Sequence, residues 1–308
     1  MIRKLHLALF IVIALLLTAC GEEEEWSDRA VRVSPVGLTL VDFAWSRNGE
    51  FVASDGVNLW FFDGDGNNLR KIEGSEWFGT MVNGEGLCWS PDGNYVAFTI
   101  REPMDGYYAD IYIIHRGARY IWEARRLADC FGTNPAWSPD GKWVLFSAWD
   151  SILVVPAEGG EPRSVVSNAR RPTWNPGGDY FACQRYFGSL NWDIIAKPFN
   201  ETGGARRITY FHEAASEPAW APDGKHIAVM VDILKDRSGA DIWVVSVKNG
   251  SAEKVTEEPE PKFRLEAARP AWSSDGRWVA FLSRRGGEEK GVGGGAIWKV
   301  PYQDRSPY

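Results

Sequence analysis

Residues 135–143 read Pro-Ala-Trp-Ser-Pro-Asp-Gly-Lys-Trp. Ser suits the first position of a type I turn, Pro pre-sets φ at the second, Asp tolerates the third, and Gly takes the left-handed position that follows. A type I turn closed by a glycine bulge joins two antiparallel strands. The phrase returns as Ala44-Trp45-Ser46-Arg47-Asn48-Gly49, Cys88-Trp89-Ser90-Pro91-Asp92-Gly93, Thr173-Trp174-Asn175-Pro176-Gly177-Gly178, Ala219-Trp220-Ala221-Pro222-Asp223-Gly224 and Ala271-Trp272-Ser273-Ser274-Asp275-Gly276. Successive tryptophans are 44, 48, 37, 46 and 52 residues apart. Such a period marks a repeat architecture. The turn therefore reads as architecture, with each Trp sized to fill the space between neighbouring units.

Each turn is followed by an apolar alternating stretch, such as Tyr95-Val96-Ala97-Phe98 or Trp278-Val279-Ala280-Phe281. A third element comes after a variable gap, as in Asp110-Ile111-Tyr112 and Asp241-Ile242-Trp243. A fourth is short, as in Arg126-Leu127 and Arg207-Ile208-Thr209. Period-2 patterning rich in Val, Ile, Phe and Trp favours strand over helix. Four strands per unit predict an all-β, six-bladed β-propeller of four-stranded blades. The last unit lacks a fourth strand after Ala296-Ile297-Trp298. Val31-Arg32-Val33-Ser34 has the form of Arg207-Ile208-Thr209, so this N-terminal strand is expected to complete the last blade and close the ring over residues 30–303.

The repeat resembles that of the TolB-type β-propeller family, whose units read Pro-x-Trp-Ser-Pro-Asp-Gly, an apolar strand, Asp-Ile-Tyr/Trp-Val and Arg-Leu-Thr. The resemblance covers essentially the whole chain after the leader and implies the fold strongly. It implies function weakly, because the repeat serves transport components, sugar-acting enzymes and peptidase side domains. TolB-type transport components also carry an additional N-terminal domain, which is not expected here because only about ten residues separate Cys20 from the first predicted strand.

Arg3 and Lys4, the apolar run Leu7–Leu17 and the small residues after it form a secretory leader. The run is short for a bilayer-spanning helix. Leu17-Thr18-Ala19-Cys20 resembles a lipoprotein processing site, with residues 1–19 removed and Cys20 lipidated. Four consecutive glutamates, Glu22–Glu25, make residues 20–29 a solvated acidic tether. Residues 304–308 are a tail. The expected location is the cell envelope, on the periplasmic face of the outer membrane or the cell surface.

The formal net charge is −7, without a basic stripe, which argues against nucleic acid as a partner. Besides Cys20, the chain has Cys88, Cys130 and Cys183, too few for a disulfide scaffold. Cys88 and Cys183 read as buried hydrophobes, and pairing of Cys130 with Cys88 stays open. Beyond the leader there are three histidines. His115 sits at a hairpin, and His226, at a strand start, is expected to be exposed. His212-Glu213 lacks a second His at zinc-protease spacing. Asp63-Gly64-Asp65-Gly66-Asn67-Asn68 begins like a calcium loop but lacks Gly at the sixth position and Glu at the twelfth, so a hairpin turn is favoured. No cofactor, metal or catalytic residue is assigned.

In such a blade the Trp turn and the third-to-fourth strand turn share one face. The other face carries connections of variable length, where binding usually resides. Candidate binding residues there are Trp77, Tyr186, Phe187, His212 and Glu213. Asn134, Arg171, Glu217 and Arg269, each followed by Pro, should ring the mouth of the central channel. Aromatics with Arg are typical of interfaces. These features point to a monomeric, membrane-tethered propeller that holds an envelope protein, peptide or glycan. A polysaccharide lyase or glycosidase is the enzymatic alternative, and it requires His212, Glu213, Glu217, Arg171 and Arg269 to converge. A TolB-like transport component is the third reading.

Overall fold

The computed structural model describes residues 30–74, 86–101, 109–128, 131–188, 192–200, 203–232, 240–256, 269–283 and 295–303. Cys20, Trp77 and Cys130 lie outside them. The strands form six four-stranded antiparallel sheets arranged as a six-bladed β-propeller. A first short strand, β1 (Val31–Arg32), precedes blade 1. Blade 1 comprises β2 (Asp42–Trp45), β3 (Phe51–Ser54), β4 (Leu59–Phe62) and β5 (Arg70–Lys71), and blade 2 comprises β6 (Leu87–Trp89), β7 (Tyr95–Arg101), β8 (Ala109–His115) and β9 (Arg125–Ala128). Blade 3 holds β10 (Gly132–Trp137), β11 (Trp143–Ala148), β12 (Ser151–Pro156) and β13 (Arg163–Ser167). Blade 4 holds β14 (Ala169–Trp174), β15 (Tyr180–Tyr186), β16 (Trp192–Pro198) and β17 (Arg206–Arg207). Blade 5 holds β18 (Ala215–Trp220), β19 (His226–Asp232), β20 (Ala240–Ser246) and β21 (Ala252–Lys254). Blade 6 holds β22 (Ala271–Trp272), β23 (Trp278–Ser283) and β24 (Ala296–Pro301), and β1 is its outer strand.

Closure follows the form read from the sequence. Val31 pairs with Lys299 and Arg32 with Trp298. Ser34 Oγ accepts the Ile297 N–H at 3.1 Å. Thr209 Oγ1 does the same for Ile194, and Thr256 Oγ1 for Ile242. The N-terminal strand thus supplies the hydroxyl that the last blade would otherwise lack.

The repeated turn is a self-contained hydrogen-bond unit. In blade 3, Ser138 Oγ donates to Asp140 at 2.6 Å and accepts the Trp143 N–H at 2.9 Å, while Asp140 also accepts the Lys142 N–H. Blades 2 and 6 repeat this with Ser90–Asp92 and Ser273–Asp275. Gly141 adopts φ 76°, and the equivalent glycines of the other five turns lie between 69° and 84°. The six repeat tryptophans fall one to each blade interface. Trp174 is the clearest case: it is buried between blades 3 and 4 against Phe181 and Phe199, and its indole donates across the interface to Ala136 O at 3.0 Å. Trp89 and Trp272 reach back to Ala44 O and Ala219 O in the same way.

The Asp of the third strand and the basic residue of the fourth are also structural. Asp110 pairs with Arg126 at 2.5 Å, Asp193 with Arg207, and Asp241 with Lys254 at 2.7 Å. His226 corrects the expectation of exposure: it is buried, bonded through Nδ1 to Asp223 of its own turn at 2.7 Å, with the Tyr302 ring beside it. The calcium-like loop is a hairpin in which Asp63 caps the N–H groups of Asp65 and Asn67. Among the described residues no helix is long and apolar enough to cross a membrane.

Candidate functional site

The innermost strands carry a ring of side chains three residues before each repeat Trp. The ring is Asp42, Gly86, Asn134, Arg171, Glu217 and Arg269. In blades 3, 4 and 5 this position falls at a bulge in the pairing of the first two strands. Asn134, Arg171 and Glu217 there adopt left-handed φ of 53°, 56° and 54°. Such conformations are costly for residues other than glycine, and the following Pro restricts them further. The bulge re-aims the side chain out of the strand's alternation. Gly86 fills the blade 2 position with φ 112°, and a Cβ there would lie 2.5 Å from Asn134 Cα. Blade 2 thus gives up a side chain so that blade 3 can approach.

The charges in the ring pair between neighbouring blades. Arg171 Nη1 bonds Glu217 Oε1, and Arg269 Nη1 bonds Asp42 Oδ1 at 2.8 Å. Asp42 also accepts the N–H groups of Gly86 and Phe43. Burial pushes the Asp42 carboxyl above the usual carboxylate range, although Arg269 and these two N–H groups pull it down. Burial likewise lowers Arg171, opposed by Glu217. Glu217 Oε2 and Arg269 Nε and Nη2 are buried and make no hydrogen bond among the described residues.

Two cavities meet at this ring. The central channel, about 680 Å³, runs from Asn134, Arg171, Glu217 and Arg269 to the prolines of the Trp turns, past the repeat tryptophans. Cys88 lines it and accepts the Trp137 N–H, and burial raises its thiol to about 11. Cys88 is thus open only to the channel, whereas Cys183 is fully buried and raised to about 12. The second cavity, about 390 Å³, lies on the loop face between blades 3 and 4 and shares Asn134 and Arg171 with the first. His212 and Glu213 are exposed on the connection from β17 to β18 and line neither cavity. The five groups required for a lyase-type site therefore do not share one pocket. Among the described residues no group of three or more His, Cys, Asp or Glu could hold a metal ion.

The loop face of blades 3–5 carries a band of exposed aromatics interleaved with guanidinium groups. Phe131 meets Trp149 edge-on at 5.9 Å, and Tyr186 meets Trp192 at 5.4 Å. Arg170 lies over Trp192, and Arg207 over both Phe187 and Tyr210. Tyr186 and Phe187 were legible as candidates. Phe131, Trp149, Arg170 and Trp192 were not, because each sits in a short connection or at a strand end without a distinguishing neighbour. Asp42 and Gly86 lack the following Pro that drew attention to the other four ring positions. Counting back three residues from each Trp would have found both.

No family model matches the sequence. The chain is 23% identical over 226 residues to the uncharacterized peptidase YuxL of Bacillus subtilis, covering 69% of this chain and 31% of that protein. It is 25% identical over 191 residues to the uncharacterized protein Atu1656 of Agrobacterium fabrum, covering 60% and 58%. It thus spans less than two thirds of the length of these curated relatives. Among solved structures it superposes on TolB from Acinetobacter baumannii with a TM-score of 0.61 at 17% identity, covering 85% of this chain and 63% of that one. A putative TolB from Agrobacterium tumefaciens gives 0.64 at 13% identity, covering 89% and 97%. An oligogalacturonate lyase in complex with manganese gives 0.54 at 15%, covering 85% and 76%. The structural neighbours are TolB-type β-propellers, and this likeness establishes the fold.

Proposed function

We propose that this protein is a lipid-tethered propeller of the cell envelope that holds an envelope partner, protein or glycan, on its loop face. The observation that carries the reading is the aromatic–guanidinium band over blades 3–5. Phe131, Trp149, Tyr186, Phe187 and Tyr210 are all exposed there. Large rings and Arg left in water on a rigid scaffold are the composition of binding surfaces. The ring residues Asn134 and Arg171 lie at its inner edge. Tethering rests on Leu17-Thr18-Ala19-Cys20: an acyl anchor at Cys20 would hold the propeller at a membrane surface through its acidic tether.

The test has two arms. Cys20→Ser in the full chain should move the protein from the membrane fraction to the soluble one; unchanged fractionation would refute the anchor. The protein from residue 26 onward should bind a member of an array of envelope glycans, peptidoglycan fragments and envelope proteins. Binding should fall when Trp149, Tyr186 and Phe187 are changed to Ala and persist when the turn-face residues Tyr95 and Tyr180 are changed. The opposite pattern would place the partner on the other face.

A further inference from the structure

The cleft between blades 3 and 4 has a chemistry of its own. Its volume, about 390 Å³, is that of a small-ligand site. Phe131 and Trp149 stand at its edge with φ of 49° and 54°. A left-handed backbone is a real cost for a bulky residue. Burial does not offset it, since Phe131 is 38% and Trp149 74% exposed. The equivalent hairpin of blade 1 shows the relaxed alternative. There Gly56 takes the positive φ, and Asp55 caps the N–H groups of Val57 and Asn58 and the indole of Trp60.

The polar groups of the cleft are nearly all donors. Asn134 Oδ1 accepts from Thr133 and Ser147, and the Asn134 amide NH2 has no partner among the described residues. Gln184 Oε1 accepts the Glu217 N–H, and its NH2 likewise has no partner among the described residues. The indole N–H groups of Trp149 and Trp192 make no hydrogen bond within the described protein. Arg170 and Arg171 add guanidinium groups, each with one amino group committed to a carboxylate, Asp150 or Glu217. Among the described residues no Asp or Glu lines the cleft, in a protein whose net charge is −7.

Free donors beside two cations select a ligand with oxygen acceptors and negative charge. Flat rings select a ligand with a flat apolar face. A carboxylate alone offers roughly four lone-pair sites, fewer than the donors present, so the surplus matches ring hydroxyls. We infer that this cleft binds an acidic sugar, its carboxylate held by Arg170 and Arg171, its hydroxyls by Asn134 and Gln184, and its ring against Trp149. The inference deepens the loop-face reading by naming a ligand class, and it rests on that reading.

Calorimetric titration of the purified full chain tests it with glucuronic acid, glucose and benzoate as probes. Glucuronate should bind about tenfold or more tighter than glucose, a gap of about 1.4 kcal/mol. It should also bind tighter than benzoate, which has the charge and the flat face but no hydroxyls. Arg170→Gln, at an exposed position, should collapse the preference over glucose, and Trp149→Ala should weaken both sugars. Gln184→Glu, which removes a hydroxyl donor and adds a negative charge, should weaken both sugars and glucuronate the more. Equal affinity for the two sugars, benzoate matching glucuronate, or no binding by any probe would overturn the assignment. A partner found on the array together with any of these results would leave the loop face standing and refute the ligand class alone.

Discussion

The two faces of the propeller are ends of the same strands, and they spend their polar groups differently. On the Trp-turn face, Ser138, Asp140 and the backbone satisfy one another, and blades 2 and 6 repeat the pattern nearly atom for atom. On the loop face of blades 3 and 4, amide and indole N–H groups stay unpaired among the described residues, and aromatic residues hold strained backbone. A face whose bonds are closed internally has little left to offer a partner. The contrast places architecture in the repeated phrase and recognition in the irregular connections.

The sharpest way to break this comparison is to exchange one tryptophan for another. Trp174→Ala removes a buried ring and its cross-blade hydrogen bond, and should cost about 3–5 kcal/mol in chemical denaturation. Trp149→Ala should shift stability by no more than about 0.5 kcal/mol, since the ring is largely in water. Comparable losses would mean that Trp149 is a packing residue. Gly86→Ala comes next: its Cβ would collide with Asn134 Cα and Pro135 Cδ, so a loss of about 1–3 kcal/mol and a displaced Asn134 are expected. A variant as stable as the parent, with an unchanged ring, would remove the account of that glycine.

A smaller effect tests the turn itself. Ser273→Ala deletes one donor to Asp275 and should cost about 1 kcal/mol at neutral pH. Bonds from Ser273 and Arg277 hold the Asp275 carboxyl down at about 2. A depressed carboxylate stabilises the fold above the ordinary carboxylate range, and that contribution fades as pH falls through 2. The variant should therefore begin acid unfolding at a higher pH than the parent. Identical acid midpoints would contradict the proposed role of the Ser–Asp pair. Asp42 carries the opposite sign: burial raises its carboxyl, so it favours the fold less as pH rises through its folded value.

The repeat made the fold readable. One Trp and one turn per blade fixed the strand count, and the likeness of Val31-Arg32-Val33-Ser34 to Arg207-Ile208-Thr209 identified the closing strand. Local chemistry misled at His226, where the turn carboxylate Asp223 holds the ring in a buried site. The ring was legible only where a Pro marked its position. Its pairing, Arg171 with Glu217 and Arg269 with Asp42, joins side chains of neighbouring blades that are 46 residues apart or at opposite ends of the chain, a relation with no local signature. Trp149 escaped notice because its significance lies in backbone strain and exposure, properties of the folded chain.

The central claim is that partners are met on the loop face. A photo-crosslinking residue placed in intact cells at position 149, and separately at position 95 on the turn face, compares the two directly. Both side chains are exposed, at 74% and 41%. Crosslinked adducts should form from position 149 and not from position 95. Adducts from position 95 with position 149 silent would contradict the account.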